Sequence, residues 1–211
     1  KRVMRKILFL GALITLVFSQ DIFACQCAAR PPFLSVAPKA EVIALVKVER
    51  YLTYQALETV SEKPMPMSME VKVIDFYQGI EKKKALTVWG DNGILCRPYL
   101  SEFKVGRFYV IGFLKAKQTS RGLANKDENP NDYSISFCGE YWLSVDFSNK
   151  TARGVITEDE KTIRLKDLKH KLKKLKEENP KVVATNIYSE CERIFNQFLG
   201  VNWANENKPS F

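Results

Sequence analysis

AEVIALVKVERYL, Ala40 to Leu52, is the stretch that decides the fold. It is rich in β-branched and aromatic residues, and apolar and polar positions partly alternate along it, which predicts a β-strand. MSMEVKVIDFY, Met67 to Tyr77, repeats the pattern and stops at Gln78-Gly79. Three more runs follow: ALTVWG at 85–90, GRFYVIGFL at 106–114 and EYWLSVDF at 140–147. Five strands in a chain of this size predict a small, partly open β-barrel. The linkers carry turn chemistry: Ser61 to Pro66, then Asp91-Asn92-Gly93, then the long polar stretch Lys117 to Asp132 with its Asn129-Pro130-Asn131. That last stretch reads as an exposed, mobile loop.

Ahead of the strands lies a leader. Lys1, Arg2, Arg5 and Lys6 form a positive start, Ile7 to Phe18 an apolar core of 12 residues, and Ser19 to Ala24 a polar exit. This is the pattern of a secretory signal peptide, residues 1–24, and the apolar run is short for a membrane-spanning helix of about 20 residues. Cleavage after Ala24 leaves Cys25 with the free α-amine. The competing reading is lipoprotein anchoring through Cys25, because Ile22-Phe23-Ala24-Cys25 follows the order aliphatic, spacer, small residue, cysteine, although Phe23 is bulky for its place. Either reading predicts a secreted, extracellular or periplasmic protein.

Removing residues 1–24 takes away four basic residues and Asp21, so the formal charge falls from +9 to +6 over the remaining 187 residues. Much of the positive charge lies in Lys161 to Lys181, where no aromatic residue is interleaved to stack on a base. A solvated helix face accounts for those lysines, and nucleic-acid binding is not expected. The length suits one domain, 25–150, with a helical extension, 151–211.

Five cysteines remain after export, at 25, 27, 96, 138 and 191. An oxidising compartment favours pairing the first four. Cys25 and Cys27 lie one residue apart in an extended segment and are too far from each other to bond, so each needs a distant partner. The residues alone allow Cys25 with Cys96 and Cys27 with Cys138, or the crossed pairing. Loops of this length are worth on the order of 4 to 5 kcal/mol each in the chain-entropy model. A structural zinc site is not expected, because there is no CxxC pair and His170 is the only histidine. His170 sits among Lys169, Lys171 and Lys173 and reads as a surface residue.

From about Gly154 the pattern changes. Thr157 to Glu160 resembles a capping box, while Lys161 to Leu165 reads equally as a short strand ahead of a helix that starts near Lys166. Leu165, Leu168, Leu172 and Leu175 share one helical face, and Asn179-Pro180 ends the helix. Ile187, Cys191, Ile194, Phe195, Phe198 and Leu199 predict a second helix, which places Cys191 on its apolar face as a buried free thiol. The expected tail is therefore a pair of α-helices, packed on the barrel or on each other.

Enzyme motifs are not found. There is no Gly-rich phosphate loop, GxSxG or HExxH, and no second histidine for a triad. Glu41, Glu140 and Asp146 lie on expected strands without a partner motif. The chain reads as a non-enzyme that needs no cofactor.

The ordered set of CxC at 25–27, Tyr77-Gln78-Gly79, the lone Cys96, Gly106-Arg107-Phe108-Tyr109 and Phe137-Cys138-Gly139 resembles the netrin-like module. Within that class it is most similar to the inhibitory domain of the tissue inhibitors of metalloproteinases (TIMPs), over about residues 25 to 147. The resemblance implies a mainly β chain built on a five-stranded OB-type barrel, with Cys25 joined to Cys96 and Cys27 to Cys138. It also implies chemistry by chelation: the α-amine and carbonyl of Cys25 take the catalytic zinc of a metalloendopeptidase, and Gln26 enters the protease pocket. Gln26 is longer and more polar than the Thr or Ser usual there, Ala28-Ala29 precedes Arg30-Pro31-Pro32, and the third disulfide of the TIMP domain has no counterpart. The expected partner is a secreted or membrane zinc metalloproteinase. The alternative is a non-inhibitory extracellular or periplasmic netrin-like module that binds another protein or an envelope component.

Overall fold

In the computed structural model, which describes residues 27, 29–55, 64–93, 95–116, 125 and 127–178, the opening run becomes β1, Val42–Gln55. It pairs antiparallel with β2, Met65–Gln78, from Ile43 opposite Gln78 to Gln55 opposite Met65. The register slips between Ile43 and Ala44 and again between Leu45 and Val46. Such irregularities add local twist, which lets two long strands coil into a barrel wall.

The other strands are β3 (Ala85–Trp89), β4 (Phe108–Lys115), β5 (Tyr133–Ser134), β6 (Trp142–Asp146), β7 (Thr151–Arg153) and β8 (Thr162–Arg164). The order β1-β2-β3-β5-β4, with β4 paired back to β1, closes a five-stranded barrel. All its pairings are antiparallel except β3 with β5.

The strand that closes the ring is not the one expected. Residues 140–147 do form a strand, β6, but it pairs with Phe108 to Ile111 of β4 and leaves the barrel. The ring is closed by β5, whose Tyr133 and Ser134 sit between Val88-Trp89 of β3 and Leu114-Lys115 of β4. One edge of β4 is thus shared, its first half taken by β6 and its end by β5. Two residues carry no period, so β5 leaves no sequence pattern to read. Beyond β6 the sheet runs on through β7 and β8, across residue 150.

Apolar packing lies on both sides of the wall. Val42, Ala44, Val46 and Val48 of β1 face the barrel interior, with Met69, Val71, Val88, Ile111, Phe113 and Ile135. Ile43 and Leu45 face outward into a second cluster. There they meet the short helix α1 (Phe33–Val36), Ala37 and Ala40, and the helix α2 (Leu165–Glu178) through Leu168 and Leu172. Burial on both faces explains why alternation in the opening run is only partial. Leu165, Leu168 and Leu172 do share the face that packs, and α2 starts directly after β8, so the short-strand reading of 161–165 holds. Thr157 to Glu160 makes a turn instead of a helix cap: Glu160 N–H donates to Thr157 Oγ1 at 3.0 Å, and Thr157 N–H to the Glu160 carbonyl at 3.2 Å. The expected second helix and Cys191 lie outside the described residues. Among the described residues no helix is long and apolar enough to cross a membrane.

Candidate functional site: the stapled N-terminal segment

Cys27 is joined to Cys138 by a disulfide across 111 positions, with the two Cα atoms 5.2 Å apart. Of the pairings open to the residues alone, this excludes the crossed one. Cys96 is also disulfide-bonded, to a partner outside the described residues. Cys25 and Gln26 likewise lie outside them.

The segment behind Cys27 is fixed at several points. The Arg30 guanidinium sits 4.7 Å from the centroid of the Phe137 ring. The Pro31 carbonyl accepts the Glu140 N–H at 3.0 Å, and Phe33 and Leu34 donate their N–H groups to the carbonyls of Val155 and Ile156. Pro31 and Pro32 suit this course, because a proline has no N–H to leave unpaired in an extended segment. On the far side, Phe137 N–H donates to the Cys96 carbonyl at 3.1 Å. Three parts of the chain, 27–34, 95–97 and 136–140, therefore meet at one place. Gly139 permits the close packing: its φ is +139°, and a Cβ there would stand 2.7 Å from Val36 Cγ1.

Beneath this junction lies an ion pair that no sequence pattern announces. Arg97, next to Cys96, donates Nη1–H to Glu128 Oε2 at 2.9 Å and Nη2–H to Oε1 at 2.8 Å. Nη2 also donates to the Ala116 carbonyl at 2.7 Å, and Glu128 Oε2 accepts from Asn125 N–H and Nδ2. Both side chains are wholly buried. Breaking such a pair by removing one partner typically costs about 3 to 5 kcal/mol. At the end of the polar stretch Asp127, Asn129, Pro130 and Asn131 are exposed, as an exposed loop requires, and Glu128 is the exception. Glu128 is buried because Arg97 neutralises it, and Asp132 accepts the Trp89 Nε1–H at 2.8 Å. The partners lie 31 positions apart, beyond the reach of any local signal.

The chain matches no protein-family model, and a search of curated proteins gives no match.

Of the three carboxylates expected on strands, Glu41 lies exposed just ahead of β1, and the other two are engaged singly. Glu140 Oε1 accepts the Val155 N–H, and Asp146 accepts from Asn149 N–H and Nδ2. Those Asn149 bonds hold the Asp146 carboxyl below its usual range. His170 is exposed on α2. Among the described residues no group of three or more His, Cys, Asp or Glu side chains is placed to hold a metal ion. Tyr141, two residues past Gly139, is buried, and desolvation raises its pKa well above the ordinary phenol value. The described part of the site holds the chain from Cys27 onward against residues 95–97 and 136–140.

Proposed function

We propose that this chain is a secreted TIMP-like protein of the netrin-like class, with an OB-type barrel, that inhibits zinc metalloendopeptidases through its N-terminus. Cleavage after Ala24 frees the Cys25 amine. That amine and the Cys25 carbonyl close a five-membered chelate ring on the target's zinc and displace the water that serves as its nucleophile. Gln26 enters the adjoining pocket. The observation that carries this reading is the Cys27–Cys138 disulfide, which fixes the segment against the Cys96 loop. Two residues span at most about 7 Å, so a Cys25–Cys96 bond requires Cys27 to stand close to the Cys96 loop, and Phe137, next to Cys138, does bond the Cys96 carbonyl. A second staple there gives the terminus one direction.

The chelating amine must be neutral, and an α-amine ordinarily titrates near 7.7–8.0. Inhibition therefore weakens about tenfold per pH unit below that range, against a protease whose own activity is constant there. The deciding test compares the chain starting at Cys25, established by intact mass without reduction, with a variant carrying one alanine ahead of Cys25. The extension removes the amine from the chelate and abolishes inhibition. Equal inhibition by the two forms sinks the reading and leaves a netrin-like binding module that works without its terminus.

A further inference from the structure

The turn between β2 and β3 sorts its side chains by chemistry. Gly79 ends β2 with φ at +88°, so close to the Glu41 carbonyl that no Cβ fits. Ile80 then projects into solvent with 94% of its surface exposed, against 54% for Tyr54, the next most exposed large apolar residue described. Glu81 turns the other way. Its Oε1 accepts the N–H groups of Lys82 and Lys83 at 2.6 and 2.8 Å, and its Oε2 accepts the hydroxyl of buried Tyr133 at 2.6 Å. Lys82, Lys83 and Lys84 are exposed, and none forms an ion pair with a described residue. Lys115 adds a fourth ammonium beside the turn, 4.0 Å from the Tyr133 ring centroid.

A single exposed isoleucine is ordinary. Here, however, the Glu81 carboxylate is spent on holding the shape of the turn, and the exposed apolar tip is followed by three exposed lysines that form no ion pair with a described residue, with exposed Glu41 behind Gly79 as the other carboxylate nearby. That combination suits a bilayer surface, where one side chain enters the acyl boundary and lysines meet anionic headgroups. It suits a protein partner less, because such an interface needs a wide complementary patch and the turn offers one side chain. We propose that residues 79–84 dock this protein reversibly on anionic phospholipid membranes, with Ile80 inserted and Lys82, Lys83 and Lys84 on the phosphates. The assignment is independent of the Cys25 mechanism.

The test is co-sedimentation of the full chain with vesicles of phosphatidylcholine alone and of phosphatidylcholine mixed with phosphatidylglycerol. Binding is expected to the mixed vesicles only. Ile80→Ser should weaken it about tenfold by withdrawing the inserted side chain, and Lys82→Gln with Lys83→Gln about 20-fold, near fivefold for each charge. Lys173→Gln with Lys174→Gln, on the exposed face of α2, should change it less than about twofold, well below the effect of either turn variant. All five positions are exposed, so melting temperatures should match wild type. Wild-type failure to sediment, equal binding to neutral vesicles, or undiminished binding by both turn variants overturns the proposal. Loss in the lysine variant with Ile80→Ser unchanged also overturns it, because the contact is then electrostatic alone with no inserted side chain.

Discussion

β1 is buried on both faces, but the two faces are covered in different ways. Its inward residues, Val42 to Val48, are enclosed by strands that are hydrogen-bonded around a complete ring. Its outward residues, Ile43 and Leu45, are covered by pieces from the two ends of the described chain: residues 33–40 before β1, and residues 152–172 after β6. The inner layer has no free edge at which to open. The two pieces of the outer layer are tied to each other by two backbone bonds at Phe33 and Leu34, and to the ring by β6 and by the apolar face of α2. Closed pairing makes the inner layer a single cooperative unit, whereas an apposed helix can leave by itself.

The largest effect should come from the inner layer. Phe113 is fully buried and meets the Tyr133 ring edge-on, with centroids 5.7 Å apart, at the point where β5 closes the barrel. Phe113→Ala should cost about 3 to 5 kcal/mol by urea denaturation. Amide protection should fall throughout β1 to β4 together. Protection lost in β5 alone would show that closure is a local feature and that the ring is not the cooperative unit.

Leu168→Ala removes an equally buried side chain from the outer layer. The expected cost is about 2 to 5 kcal/mol, toward the lower end because α2 can shift to fill part of the cavity. The sharper reading is where protection disappears. Amides of α2 and β8 should exchange fast while those of β1, β2 and β3 keep their protection. If the barrel amides lose protection equally, the two layers unfold as one and the distinction between them fails.

What the sequence made legible follows the same division. β1 to β4 could be read because each is a run of five or more residues rich in β-branched and aromatic side chains, and α2 because Leu165, Leu168 and Leu172 recur on one helical face. β5 and β7 are two and three residues long and hold their places by pairing, which no short window records, whereas β8 was one of the two readings open for 161–165. The run at 140–147 was visible as a strand, but its place outside the ring depends on β4 sharing an edge with β5. At the candidate site, the Cys27–Cys138 pairing was legible through the family resemblance, since spacing alone left two choices. The Arg97–Glu128 pair was not legible, because a charged residue in a polar stretch ordinarily means solvent, and only the fold brings the two together.

The smallest effect concerns what latches α2 to the barrel. Lys169 Nζ lies 2.8 and 2.7 Å from the two Asp75 oxygens on β2, and 5.3 Å from the centroid of the Tyr77 ring. Both charged side chains are close to half exposed, so a double-mutant cycle of Lys169→Ala and Asp75→Ala should give a coupling of only about 0.2 to 1 kcal/mol, shrinking further in molar salt. A coupling above about 2 kcal/mol would make the ion pair, rather than Leu168 and Leu172, the main attachment. Tyr77 provides an independent check. Burial first, and the Asp75 carboxylate second, push its pKa up to about 12. Asp75→Ala removes a negative charge that disfavours the phenolate, so the ultraviolet titration should move down, yet stay above the ordinary value near 10 because burial remains. A fall all the way to that value would mean that the ring is no longer covered, and that α2 had departed with the loss of one surface charge.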